Sequence, residues 1–177
     1  MKNIINYTNI KYIPINMDDD HKNKNHWLLR VGDGRNFRNS VYPFWSVKRG
    51  KNNSIKGCVR NIAEGDILWF ITNKSAGGKI IGMTEFMYMY DVKEKPTSDM
   101  TIFSNSDQDW VGEDVWDIQI YYKNMYKTEN ADLDICIRCS SSILSYLTFK
   151  DRISHNLYRE YNMYLKYGQP NNVVCVE

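Results

Sequence analysis

The sequence predicts an α+β fold, a compact and mostly antiparallel β-barrel with flanking helices. Short apolar runs and period-two alternations recur from Trp27 onward, separated by glycine-containing turns. Helical spacing of apolar residues stands out over one long stretch, near the carboxyl end. Strands and helices do not alternate regularly, which argues against parallel sheets built from strand–helix–strand units.

Taken in order, residues 1–23 mix apolar alternation with the acidic run Asp18, Asp19, Asp20 and read as an extension. Residues 24–177 read as a single domain, with a core at 26–127 and a carboxyl-terminal strand and helix within 132–167. Trp27–Val31 is a short buried strand stopped by Gly32-Asp33-Gly34, where glycine permits the backbone angles of a tight turn. Asn36–Tyr42 fits a short helix or a loop. Pro43 then holds Tyr42 extended ahead of Phe44-Trp45-Ser46-Val47, so Trp45 is expected at an element edge and partly exposed.

Residues 48–57 form a basic, polar loop, and Ala63-Glu64-Gly65-Asp66 a turn leading into the strand Ile67–Ile71. Asn73–Gly78 is a hairpin connection to a returning strand over Lys79–Tyr90. Val115–Tyr122 and Leu133–Cys139 alternate in period two and make two more strands. Ile153, Leu157, Tyr161, Tyr164 and Leu165 recur at helical spacing before Gly168 and Pro170, which predicts a helix over 150–167.

Composition narrows the function classes. The net charge of +2 permits a nucleic-acid partner without requiring one, so the placement of charge has to decide. No apolar run is long enough for a membrane helix, and the amino terminus carries no signal-peptide pattern; an intracellular protein is expected. Four scattered cysteines do not make a disulfide framework. Cys136 and Cys139 have the spacing of half a zinc knuckle with no second pair, so no metal and no cofactor is expected. His21, His26 and His155 join no nucleophile motif, and no phosphate loop or dinucleotide fingerprint is present.

The ordered set of the Trp27–Val31 strand, Trp45, the Gly65-Asp66 turn, the glycine-rich hairpin, Ile81-Gly82-Met83-Thr84-Glu85 and Trp116-Asp117-Ile118-Gln119-Ile120 resembles the EVE and YTH families of the PUA-like superfamily. The resemblance covers about residues 26–127. His26-Trp27-Leu28-Leu29 is similar to the opening strand of EVE domains, while Phe44-Trp45-Ser46 and Asp109-Trp110-Val111-Gly112 are closer to the cage segments of YTH domains. It implies a non-catalytic, RNA- rather than DNA-binding reader, working as a monomer, that holds a modified base such as N6-methyladenosine in an aromatic cage.

Carried over residue by residue, the resemblance makes Trp45 a cage wall and Ser46 the small residue touching the base. Asn36 reads the base edge, Phe103 and Trp110 are the remaining walls, and Arg30 holds phosphate. The spacing from Phe103 to Trp110 is longer than the family's. Stacking a base on an aromatic face contributes about 1–3 kcal/mol, which makes such a cage chemically sensible, although all three aromatics also fit as packing residues. Trp27, Trp69 and Trp116 lie inside apolar strand patterns and are assigned to the core.

Arg30, Arg35, Arg38, Lys48, Arg49, Lys51 and Lys56 concentrate positive charge around Trp45, which suits contacts to phosphates, assigned to the first six. Two other readings stay open. A nuclease or RNA-processing enzyme of the related ASCH branch would need groups such as Asp33, Tyr42, Lys48 and Glu85 to converge. A protein-interaction module would use exposed aromatics as a hot-spot patch.

Overall fold

A computed structural model describes residues 24–50, 54–111, 116–128, 144–146 and 152–167. Its elements are β1 (His26–Arg30), α1 (Arg35–Asn39), β2 (Phe44–Val47), α2 (Ser54–Val59), β3 (Ile67–Ile71), β4 (Ile80–Asp91), β5 (Ile118–Lys127), β6 (Leu144–Tyr146) and α3 (Arg152–Tyr167), with 3-10 turns at Lys74–Ala76 and Asn105–Asp107. The strands form a mixed sheet in the order β2-β5-β4-β3-β1-β6. β1 and β3 run parallel, and the other four pairings are antiparallel. The fold is thus α+β and mostly antiparallel, and the sheet curls into a half-barrel rather than a closed one. That curl lets Val31, at the end of β1, and Trp45, on β2, line one pocket although three strands separate theirs in the sheet.

β3 explains the arrangement best. Its sequence Ile-Leu-Trp-Phe-Ile is apolar without alternation because both faces of the sheet are covered there. Leu68 and Phe70 point into one core with Leu29, Phe37, Trp45, Ile118, Ile120 and Tyr122. Ile67, Trp69 and Ile71 point into a second core with Leu28, Ile80, Met83, Leu157, Tyr158 and Tyr161, which α3 closes. Leu157 and Tyr161 are four residues apart, one helical turn, so both project onto the sheet. The Tyr161 and Tyr164 hydroxyls donate to the carbonyls of Asn124 and Met125, fixing α3 to the backbone of β5.

The turn before β3 is held by one carboxylate. Asp66 is buried and accepts from the backbone amides of Ala63 and Asn25 and from Trp27 Nε1. Trp27 is therefore only half-buried, with its indole nitrogen spent on this bond.

Two expectations are corrected. Residues 54–57 belong to α2 and not to a loop, because Ile55, Val59 and Ile62 place apolar side chains against the first core at helical spacing. β5 begins at Ile118 and continues to Lys127, since its far half pairs with the long β4. Register shifts in β4 at Met83/Glu85 and Phe86/Tyr88 break the period-two pattern that would have announced this. The strand expected over Leu133–Cys139, the amino-terminal extension, Lys51 and the side chain of Ile153 lie outside the described residues.

Candidate functional site: an aromatic pocket at the mouth of the half-barrel

Successive side chains of β2 point to opposite faces, so Trp45 and Val47 share one side, and Phe44 and Ser46 the other. On the Trp45 side, a concave pocket of about 240 Å³ is lined by Val31, Gly32, Asp33, Arg35, Asn36, Trp45, Val111 and Trp116. Gly32 and Gly34 make the turn from β1 to α1 with φ of 62° and 85°, a region that other residues enter only at a cost. A Cβ at Gly34 would also stand 2.7 Å from Ile81 Cδ1, so the turn lies close against β4.

Trp110 bridges the edge of β2. Its ring is 5.0 Å from Trp45 and 5.7 Å from Phe44, and its indole nitrogen donates to Ser40 Oγ. Trp116 meets Trp110 edge-on at 6.4 Å, and Lys48 Nζ stands 5.8 Å over the Trp116 ring, within cation–π range. The pocket thus joins indole surface to positive charge from Lys48 and Arg35 and to one carboxylate, Asp33.

Two side-chain amides hold the segment that carries Val111. Asn36 donates to the carbonyl of Val111 at 3.1 Å and accepts from its amide at 2.9 Å. Gln108 is buried, accepts from the amides of Val41 and Tyr42, and donates to the carbonyls of Tyr42 and Phe44. The segment 108–111 is therefore bound to α1 and to the start of β2 along its length.

Of the cage residues expected from sequence, Trp45 and Asn36 line the pocket, and Trp110 backs it through Trp45. Trp45 is 6% exposed, however, a core residue with one open edge and not a partly exposed wall. Its position inside β2, against Phe37 and Trp110, is the reason. The Asn36 amide is occupied by the Val111 backbone, so here it positions the wall. Ser46 points to the opposite face, where its hydroxyl donates to Asn105 Oδ1 at 2.5 Å. Phe103 also lies there, stacked on Tyr42 at 4.3 Å with Phe44 and Tyr121 beyond. Neither lines the pocket.

The basic residues separate in the same way. Arg35 lines the pocket and Arg38 follows one turn later on α1, both exposed. Arg30 donates to the carbonyl of Thr72. The Arg49 guanidinium is engaged by Asp91, which also pairs with Lys56. Hydrogen bonds from Arg49 first, and then from Lys56 and the Lys93 amide, hold the Asp91 carboxyl well below the usual carboxylate range. Arg49 thus belongs to an internal ion-pair cluster.

Trp116 is the pocket residue that the sequence reading assigned to the core. It has the same parity as Ile118, Ile120 and Tyr122, which face the Trp45 side. Its place ahead of β5 leaves it half-buried. That parity was the available signal.

The four groups named for a nuclease of the ASCH branch do not converge. Asp33 is in the pocket and Lys48 at its edge. Tyr42 stacks on Phe103 on the other face, and Glu85 accepts from Lys24 and Asn124. Among the described residues no group of three or more His, Cys, Asp or Glu side chains could hold a metal ion, and no helix is long and apolar enough to cross a membrane. No family model and no curated protein matches the chain.

Proposed function

We propose that this protein is a non-catalytic nucleic-acid-binding module of the PUA-like, EVE- and YTH-like kind, which takes a modified, methylated base of RNA into the pocket between Trp45 and Trp116. The observation that carries the reading is that these two indoles line one concave pocket of about 240 Å³ with Lys48 over the second ring. Pockets for drug-sized ligands span about 300–1,000 Å³, so this one suits a single flat ring system with a small substituent. An indole face offers stacking to any base, and a methyl group held among Val31, Val111 and the tryptophans leaves water. Asp33 and Arg35 add an acceptor and a donor at the lining, the complement that a base edge requires.

The reading is tested by titrating the full chain with short single-stranded RNAs that carry one methylated or one plain base at the same position. Intrinsic tryptophan fluorescence should be quenched as a base stacks on Trp116. Both strands can stack, and the methylated one should bind more tightly by roughly 0.8 kcal/mol, the value of taking one methyl group out of water. Equal affinity for every strand would remove base recognition from this pocket.

A further inference from the structure

We propose that a basic track running away from the pocket through Arg35, Arg38, Lys127 and Lys79 carries the phosphates of a single strand whose base enters the pocket. The inference rests on the pocket reading above and adds the path of the backbone. Arg35 and Arg38 were expected from the sequence to meet phosphates, together with Arg30, Lys48, Arg49 and Lys51; Lys79 and Lys127 are added by the fold.

Strand directions bring the track together. β1 and β3 are parallel, and β4 runs against both β3 and β5. The carboxyl ends of β1, β3 and β5 and the amino end of β4 therefore lie at one end of the sheet. α1 starts there, with Arg35 in the pocket lining and Arg38 one turn further on. Lys127 pairs with Gly82 at the end of β5, and its Nζ donates to the carbonyl of Arg38 at 3.0 Å. A Cβ at Gly34 would be 3.1 Å from both Arg38 Nη1 and Thr72 Cγ2, and the Lys79 amide donates to Thr72 Oγ1 at 2.9 Å. Arg35, Arg38 and Lys127 thus lie together beside the pocket, and Lys79, just ahead of β4, adds charge at the same end of the sheet.

Among the described residues, little neutralises the charge on this surface. Arg35 reaches Asp33 at only 4.0 Å, with both side chains well exposed. No carboxylate among the described residues pairs with Arg38, Lys79 or Lys127. Arg49 and Lys56 are different: both are bound to Asp91, and Lys56 to Glu94 as well. A polyanion gains by releasing counterions from unpaired cations and gains little from cations already paired. The track meets that condition and is continuous with the pocket, which points to a strand lying across both.

The test is the salt dependence of binding of a fluorescein-labelled, single-stranded RNA with one methylated base. Wild type is compared with the triple variant Arg38→Gln, Lys79→Gln, Lys127→Gln and with a control, Lys93→Gln, Lys95→Gln, between about 50 and 200 mM salt. Glutamine removes the charge while keeping an unbranched polar side chain, and melting temperatures verify the fold. Each lost phosphate contact lowers the log–log salt slope of a single strand by about 0.7, so the triple variant should lose about two units, and the control none. An unchanged slope in the triple variant, an equal loss in the control, or no binding by wild type would overturn the track. Failure of the pocket reading looks different: the slope still falls in the triple variant, but methylated and plain strands bind alike. Failure of the track alone leaves their discrimination intact and the slope unchanged.

Discussion

Arg49 meets Asp91 through two parallel hydrogen bonds, Nη1 to Oδ2 at 2.8 Å and Nη2 to Oδ1 at 2.5 Å, and the same carboxylate takes Lys56 Nζ at 2.6 Å. The Asp91 side chain is 1% exposed while Arg49 and Lys56 keep 16% and 11%, so this planar fork joins the end of β2, α2 and the end of β4 around a buried carboxylate whose cations still reach water. Asp91→Asn leaves two cations facing a neutral amide. The melting temperature should fall on the order of 10 °C. The pH dependence follows from the sign of the shift. Because the folded-state pKa is lowered, the unfolded chain binds more protons, and stability is complete above the ordinary carboxylate pKa of about 4. It is lost as the pH falls further, toward the folded-state value. Thermal melts of wild type should show this acid loss, and those of Asp91→Asn should show less of it; parallel curves would mean that Asp91 is not the group responsible.

Trp45 gives a second prediction. With 6% exposure against 0% for Trp69, it belongs to the core as well as to the pocket. Trp45→Ala should cost about 3–5 kcal/mol, as a core tryptophan does, and should melt nearly as early as Trp69→Ala. If Trp45→Ala melts like wild type while Trp69→Ala does not, its packing against Phe37 and Trp110 contributes little. Trp116, half-buried and outside a strand, is the better residue for isolating binding from folding.

A third prediction concerns Gly82 on β4. A Cβ built there lies 2.6 Å from Phe37 Cζ and 2.8 Å from Cε1, and Phe37 is fully buried, stacked on Phe70 at 4.3 Å. Gly82→Ala forces that ring to move within a filled core, which costs roughly 1–3 kcal/mol. Denaturant unfolding measures it. Because Phe37 anchors α1, which carries Arg35 and Asn36, the same variant should bind RNA less well. A variant as stable as wild type would mean that the ring has room to move.

Much of the sheet could be read from the chain, because apolar runs without alternation, such as Ile67–Ile71, arise only where both faces are covered. α2 was hidden, since Lys56 and Gly57 look like loop and its anchors Ile55 and Val59 are only two residues. The site was legible in part. Trp45 and Asn36 came from the resemblance to YTH domains, but the direction in which a side chain points depends on strand parity and sheet curl, which put Ser46 and Phe103 on the side of β2 away from the pocket and Trp116 on the pocket side. Charge was the least legible, because Arg38 and Arg49 both sit in basic stretches with no acidic neighbour in sequence and only the fold gives one of them Asp91.

The central claim, that the Trp45–Trp116 pocket takes a modified base, is tested most directly by Trp116→Ala. Affinity for methylated and plain RNA and the melting temperature are measured on the same samples of variant and wild type. Affinity for the methylated strand should fall about ten-fold or more, the value of one aromatic stack, the plain strand should lose somewhat less so that the preference for the methylated strand shrinks, and the melting temperature should stay close to that of wild type. Undiminished preference for the methylated strand in a folded Trp116→Ala variant would contradict it.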